Sequence, residues 1–152
     1  MPNYFLDTSA VAKHYHSETG TPEVERILAE PGSRHFISRL STVELHSVFA
    51  LKVRTPVITA QDLQQLQKLI LADLSARRFQ VVRMLRGHFH EAERLIRKHV
   101  PTKSFRTLDS LQLAVALDLS RRGFLDHFVC ADDKLCAVAQ DEGLSVVNPN
   151  IT

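Results

Sequence analysis

Short apolar runs alternate along the chain with longer stretches in which apolar residues recur every three or four positions. Residues 3–6, 34–38, 79–82, 127–130 and 144–147 are the short runs and predict strands. Between them, Val24, Ile27 and Leu28 form one apolar face, as do Val43, Leu45, Val48, Phe49 and Leu51, and again Leu63, Leu66, Ile70 and Leu74. This spacing predicts helices over 8–16, from Thr21, over 41–53 and 59–78, then 87–99, 107–121 and 132–140. Punctuation agrees: Thr21-Pro22 opens a helix, Pro31-Gly32 breaks it, Thr59 with Asp62 makes a capping box, and Gly123 and Gly143 follow helix ends. Strands alternating with helices predict a three-layer α/β fold with a mainly parallel central sheet of four to five strands flanked by helices. The expectation is a single domain over 1–152, with no repeat and no linker-like tract.

Composition narrows the function classes. No apolar run reaches the ~18–20 residues of a membrane span, and the first residues, Met1-Pro2-Asn3-Tyr4-Phe5-Leu6-Asp7, lack the basic and apolar regions of a signal peptide. Two cysteines, Cys130 and Cys136, are too few for a disulfide framework and lack Cys-x-x-Cys spacing. A reduced, cytoplasmic protein is expected. The net charge of +2 hides an asymmetry. Residues 77–106 carry nine Lys/Arg against two acids, so this segment is +7 and the remainder −5. A basic segment beside an acidic one suits a polyanionic substrate. Charge alone favours the plainer reading, a solvated helix face with arginines near helix ends.

Four acids give a candidate site. Asp7 follows the first strand, Glu44 and Asp109 lie near helix starts, and Asp132 follows the fourth strand. Each has a structural explanation on its own. Asp7 and Asp132 are good N-caps, Ser41 with Glu44 spells a capping box, and Asp109 suits the positive end of its helix. Together they differ from caps, because strand ends and the helix starts that follow them share one edge of a parallel sheet. Thr107 already offers a cap, which leaves Asp109 surplus, and Leu108 and Leu111 flank it as anchors to the core. Carboxylates gathered at one edge repel unless a cation joins them.

The segments Tyr4-Phe5-Leu6-Asp7-Thr8-Ser9-Ala10, Ser41-Thr42-Val43-Glu44, Leu108-Asp109-Ser110-Leu111-Gln112-Leu113-Ala114 and Val129-Cys130-Ala131-Asp132-Asp133-Lys134-Leu135 occur in order over nearly the whole chain. In these motifs, and in the closing Glu142-Gly143-Leu144-Ser145-Val146-Val147-Asn148-Pro149, the chain resembles the PIN-domain ribonucleases and, among them, the VapC-type toxins of toxin–antitoxin pairs. The resemblance implies a PIN fold and a Mg²⁺- or Mn²⁺-dependent endoribonuclease that inhibits translation. Asp7, Glu44, Asp109 and Asp132 would be the catalytic and metal-binding acids. Asp133 stands beside Asp132 as a helper or substitute, and Ser9 would orient a carboxylate or a water. The partners implied are RNA, an antitoxin protein and a second copy of the chain.

The chemistry stands beside that resemblance. Hard cations choose carboxylate oxygens, and a bound cation activates water and offsets phosphate charge without a protein nucleophile. A haloacid-dehalogenase-like phosphatase would need a second Asp where Ser9 stands, and a phospho-receiver would need paired acids after its first strand. A non-catalytic module keeping the PIN fold, and a housekeeping RNA-processing nuclease, are the alternatives. His14 with His16, and His88 with His90, are spaced wrongly to share a helix face, so they read as surface or partly buried residues.

Overall fold

A computed structural model of the chain describes residues 1–151. In chain order the elements are β1 (Asn3–Leu6), α1 (Thr8–Tyr15), α2 (Thr21–Ala29), β2 (Arg34–Ser38), α3 (Arg39–Arg54) and α4 (Ala60–Ser75). They continue as β3 (Gln80–Val82), α5 (Arg86–His99), α6 (Thr107–Arg121), β4 (His127–Val129), α7 (Asp133–Asp141) and β5 (Val146–Val147). The five strands form one sheet in the order β3-β2-β1-β4-β5, with every neighbouring pair parallel. All the expected strands and helices are present, with ends shifted by a few residues. None of the described helices is long and apolar enough to cross a membrane.

Strand periodicity builds the three layers. Successive side chains of a strand point to opposite faces. Phe5, Phe36 and Phe128 therefore pack on one face, under α5, α6 and α7 with Leu95, Leu113, Leu117 and Val138. Tyr4, Leu6, Ile37 and Val129 pack on the other, under α1 to α4 with Val11, Ile27, Leu45, Phe49 and Ile70. Register aligns the aromatic layer: Phe5 lies opposite Phe36 on β2 and Phe128 on β4. The Phe5 and Phe128 rings stack with centroids 5.8 Å apart. The chain runs outward from β1 to β2 and β3, then returns to place β4 and β5 on the opposite side of β1. The strand order thus reverses between β1 and β4, where parallel sheets open a crevice at the carboxyl ends. The backbone N–H of Asp7 bridges that point by donating to the Val129 carbonyl at 3.0 Å.

The helix caps correct two expectations. Helix α3 starts at Arg39, and its N-cap is Ser38, whose Oγ accepts from the Ser41 N–H at 3.4 Å. Ser41 is buried inside the helix, so Ser41 and Glu44 form no capping box. Helix α6 has Arg106 at its N-cap with no side-chain cap, and Thr107 is already its first helical residue. Nor does Leu108 anchor Asp109: it is exposed, while Leu111 packs partly against the core. The Thr59–Asp62 capping box forms as expected, with reciprocal bonds of 3.0 and 2.9 Å.

A second polar cluster joins α5 to the end of α7. The Glu142 carboxylate, nearly buried, accepts from Arg94 at 3.0 Å, Lys98 at 3.2 Å and His99 at 3.3 Å. Lys103, in the loop after α5, pairs with Asp141. This clamp holds the segment that leads into Arg106 and α6.

The stacked pair is the clearest test of the packing. Phe128→Ala should cost roughly 3–5 kcal/mol, because the site is closed on both sides. Phe89→Ala, on the exposed face of α5, should stay within about 0.5 kcal/mol. Urea midpoints measured at constant slope distinguish the two.

Candidate active site

The crevice at the β1/β4 switch point holds the predicted acids. Asp7, Glu44, Asp109 and Asp132 all line one cavity of about 140 Å³, together with Thr8, Ser9, Val48, Arg106 and Gln112. Asp7 is delivered by the end of β1 and Asp132 by the turn after β4. Glu44 comes from the second turn of α3 and Asp109 from the first turn of α6. Four elements distant in sequence therefore meet here. Asp133 does not line this cavity; it borders the wider one beside it and accepts from the Asn148 side chain at 3.0 Å.

Each acid is held by identifiable neighbours. Asp7 is 4% exposed, and its Oδ1 accepts from Ser9 Oγ at 2.7 Å and from the Ala10 N–H at 3.0 Å. The Ser9 hydroxyl in turn accepts from the Ala131 N–H at 3.1 Å, which ties the turn after β4 to Asp7. Ser9 thus orients a carboxylate, as expected. Asp132 caps α7, its Oδ1 accepting from the Lys134 and Leu135 N–H groups at 2.9 and 3.3 Å.

Sequence reasoning passed over the group that organises Glu44. Gln112 is 2% exposed in the middle of the site. Its Nε2 donates to Glu44 Oε1 at 2.8 Å and to the hydroxyls of Thr8 and Ser41, each at 2.9 Å. Its Oε1 accepts from Ser38 Oγ at 2.8 Å. Thr8 Oγ1 also donates to Glu44 Oε1 at 2.8 Å. The available signal was a single amide within the apolar run Leu111 to Leu119, since a buried Gln must find partners.

Arg106 was expected only as part of the basic segment, yet it reaches the acids. Its Nε donates to Asp109 Oδ2 at 3.2 Å, and its NH2 lies 3.9 Å from Asp132 Oδ2. Of the nine basic residues in 77–106, only Arg106 lines the acidic cavity. Arg94, Lys98 and Lys103 are taken up by Glu91, Glu142 and Asp141. The segment is therefore only partly a free positive surface. The histidines also differ from expectation, since His35, His88 and His99 are buried. His88 is buried, with Nδ1 accepting from the Leu85 N–H at 3.0 Å and Nε2 2.9 Å from Asp118 Oδ2.

Electrostatics reflect the crowding of like charge. Burial raises the Asp7 pKa to about 6; its bonds to Ser9 and Ala10 oppose this, and the Asp109 charge adds to it. Burial also raises Asp109, against the pull of Arg106, with Asp132 and Glu44 adding repulsion. Cys130 and Cys136 are free and buried beside the site. The hydrogen bond with Cys136, and then burial, push the Cys130 thiol far above its ordinary range, so it supplies no thiolate nucleophile.

A sequence profile of the PIN domain matches residues 4–140. The chain belongs to the PIN domain family. Comparison with curated proteins found no significant match. Among solved structures, the PIN chain is similar to VapC20 of Mycobacterium tuberculosis, described as a sarcin-ricin loop cleaving toxin. That match has a TM-score of 0.67 at 16% identity, covering 96% of this chain and 99% of that one. It is also similar to FitAcB from Neisseria gonorrhoeae, with a TM-score of 0.64, 15% identity, and coverage of 98% and 99%. VapBC2 from Rickettsia felis, bound to a promoter DNA fragment, matches at TM-score 0.67 and 14% identity, covering 96% and 98%. At these identities the structural likeness speaks for the fold.

The donor set fits a hard divalent cation, being all carboxylate and hydroxyl oxygen. Glu44 Oε2 and Asp109 Oδ1 accept no hydrogen bond among the described residues. No three of the described His, Cys, Asp and Glu side chains are yet close enough to hold one ion. Asp132 and Glu44 each commit an oxygen to neighbours, and Arg106 lies between Asp109 and Asp132.

The raised pKa of Asp7 makes a stability prediction. Below about pH 4 the group is neutral both folded and unfolded, and the fold carries no penalty. Between about pH 4 and 6 the unfolded chain releases this proton while the folded state holds it, so stability falls by roughly 3 kcal/mol across that window and is level above it, where the folded state buries the charge. In EDTA, Asp7→Asn should therefore melt several degrees above the parent at pH 8 and converge with it near pH 4. Equal melting temperatures at both pH values would show that Asp7 is not strained by burial.

Proposed function

We propose that this chain is a Mg²⁺- or Mn²⁺-dependent endoribonuclease acting as the toxin of a toxin–antitoxin pair. The observation that carries the reading is the meeting of Asp7, Glu44, Asp109 and Asp132 around one cavity in a PIN fold. The solved toxins and toxin–antitoxin complexes of the same fold support the biological setting.

In this reading Asp7, Asp109 and Asp132 hold the cation, and Glu44 does so directly or through water. When bound, the cation supplies an activated water and offsets charge on the scissile phosphate. The chain's own contribution is placement. Ser9 fixes the rotamer of Asp7, and Gln112 with Thr8 fixes Glu44. The turn after β4 presents Asp132 while its other oxygen caps α7. Single-stranded or loop RNA is the substrate class, because its backbone is accessible to a shallow crevice. The unpaired arginines of 77–97 would contact neighbouring phosphates, and binding would weaken with salt.

Helix faces would serve the protein partners. Leu51, Leu69 and Leu71 on α3 and α4, with Val57 between those helices, leave apolar side chains exposed, as a second copy of the chain would require. A groove of about 360 Å³ along α5 and α6, lined by Phe89, Ala92, Ile96 and Leu111, suits an amphipathic antitoxin helix.

The test is cleavage of total cellular RNA by purified protein with Mg²⁺ or Mn²⁺. Discrete products should disappear in EDTA and fall on the order of a hundredfold with Asp109→Asn. Products that persist in EDTA would remove the metal-dependent reading. No cleavage, with no divalent ion bound, would leave a non-catalytic module of the PIN fold.

A further inference from the structure

Arg106 occupies a position that helix formation does not explain. It is the N-cap residue of α6, makes no capping bond, and puts a positive charge at the positive end of a helix dipole. Its guanidinium instead reaches Asp109 at 3.2 Å and Asp132 at 3.9 Å. It also lines a second, wider cavity of about 490 Å³ that continues from the acidic one, with Ser104, Asp133 and Lys134. Lys134 brings the same charge to that wider cavity, but does not line the acidic one.

We propose that Arg106 is an internal counter-ion: it neutralises Asp109 and Asp132 in the metal-free protein and must leave before a divalent cation can take them. This inference rests on the metal-dependent reading above and adds a regulatory step to it. Two carboxylates so near each other need a positive partner, and the guanidinium fork supplies one without a bound ion. The fork faces Oδ2 of both acids, and Asp132 Oδ1 already caps α7, so a metal ion can take Asp132 together with Asp109 only once the fork moves away. The arrangement is also easy to undo, because the Arg106 side chain is 77% exposed and such pairs are weak. Its low cost of release distinguishes it from the buried Gln112 contacts, which stay in place. Once released, Arg106 remains at the mouth of the wider cavity beside Lys134, where a substrate phosphate would meet two positive charges.

Calorimetric titration of EDTA-stripped protein with Mn²⁺, in the absence of RNA, tests the step. Arg106→Gln should bind Mn²⁺ roughly fivefold more tightly than the parent. Lys134→Gln removes an equal charge without releasing either acid, so it reports the general field effect and should change affinity less than twofold. Arg106→Lys keeps the charge but loses the fork, and should fall between parent and Arg106→Gln. Thermal melts confirm that each variant is folded. A parent that binds Mn²⁺ with an affinity no different from Arg106→Gln, or a Lys134→Gln variant that matches Arg106→Gln, would overturn the counter-ion role and leave the metal site standing. No Mn²⁺ binding by any of the four proteins would overturn the metal-dependent reading itself, and the counter-ion role with it.

Discussion

A buried amide must satisfy both its N–H groups and its carbonyl, and the acidic crevice is arranged around the one at Gln112. That side chain belongs to α6, but its partners are Thr8 of α1, Ser38 at the end of β2, and Ser41 and Glu44 of α3. One residue therefore links the two helical layers through the gap at the sheet edge. An unpaired buried polar group costs on the order of 1–3 kcal/mol, so the alternatives to this geometry are penalised at several atoms together. The result opposes what the carboxylates would do alone. Asp7, Glu44, Asp109 and Asp132 repel one another, yet hydroxyl, amide and backbone N–H groups hold Asp7, Glu44 and Asp132 around a common space, while Arg106 holds Asp109.

The division of labour at the site follows from burial. Asp7 is enclosed and raised toward neutrality, whereas Asp109 and Asp132 lie nearer solvent, where Arg106 can reach them. A closed inner acid and an open outer pair give the crevice a direction. The outer pair, not the inner acid, also lines the wider neighbouring cavity.

Much of this was readable in the residues. Strand and helix positions follow from apolar spacing, since β1 alternates Tyr4, Phe5 and Leu6 between two layers that each need filling. The four acids could be picked out because strand ends and helix starts share an edge. The finer polar assignments were not. Ser41 and Thr107 look like caps in sequence, but the caps lie three residues and one residue earlier, at Ser38 and Arg106, and local pattern does not resolve such a shift. Gln112 and Arg106 act through partners far away or across a cavity, and no local periodicity reports those. The basic stretch bears out the caution placed on it: a charge count along the chain does not report that Glu142 and Asp141, close in space to α5, neutralise part of it.

The sheet's margins carry a consequence of their own. Its edge strands, β3 and β5, contain three and two residues. An open strand edge invites another chain to add itself by backbone pairing, and that is the usual route to edge-to-edge aggregation. Here each edge offers too few free backbone groups to nucleate a ladder. Short margins thus guard a fully parallel sheet against zipping into fibrils and leave the choice of assembly to side chains on the helices that cover it.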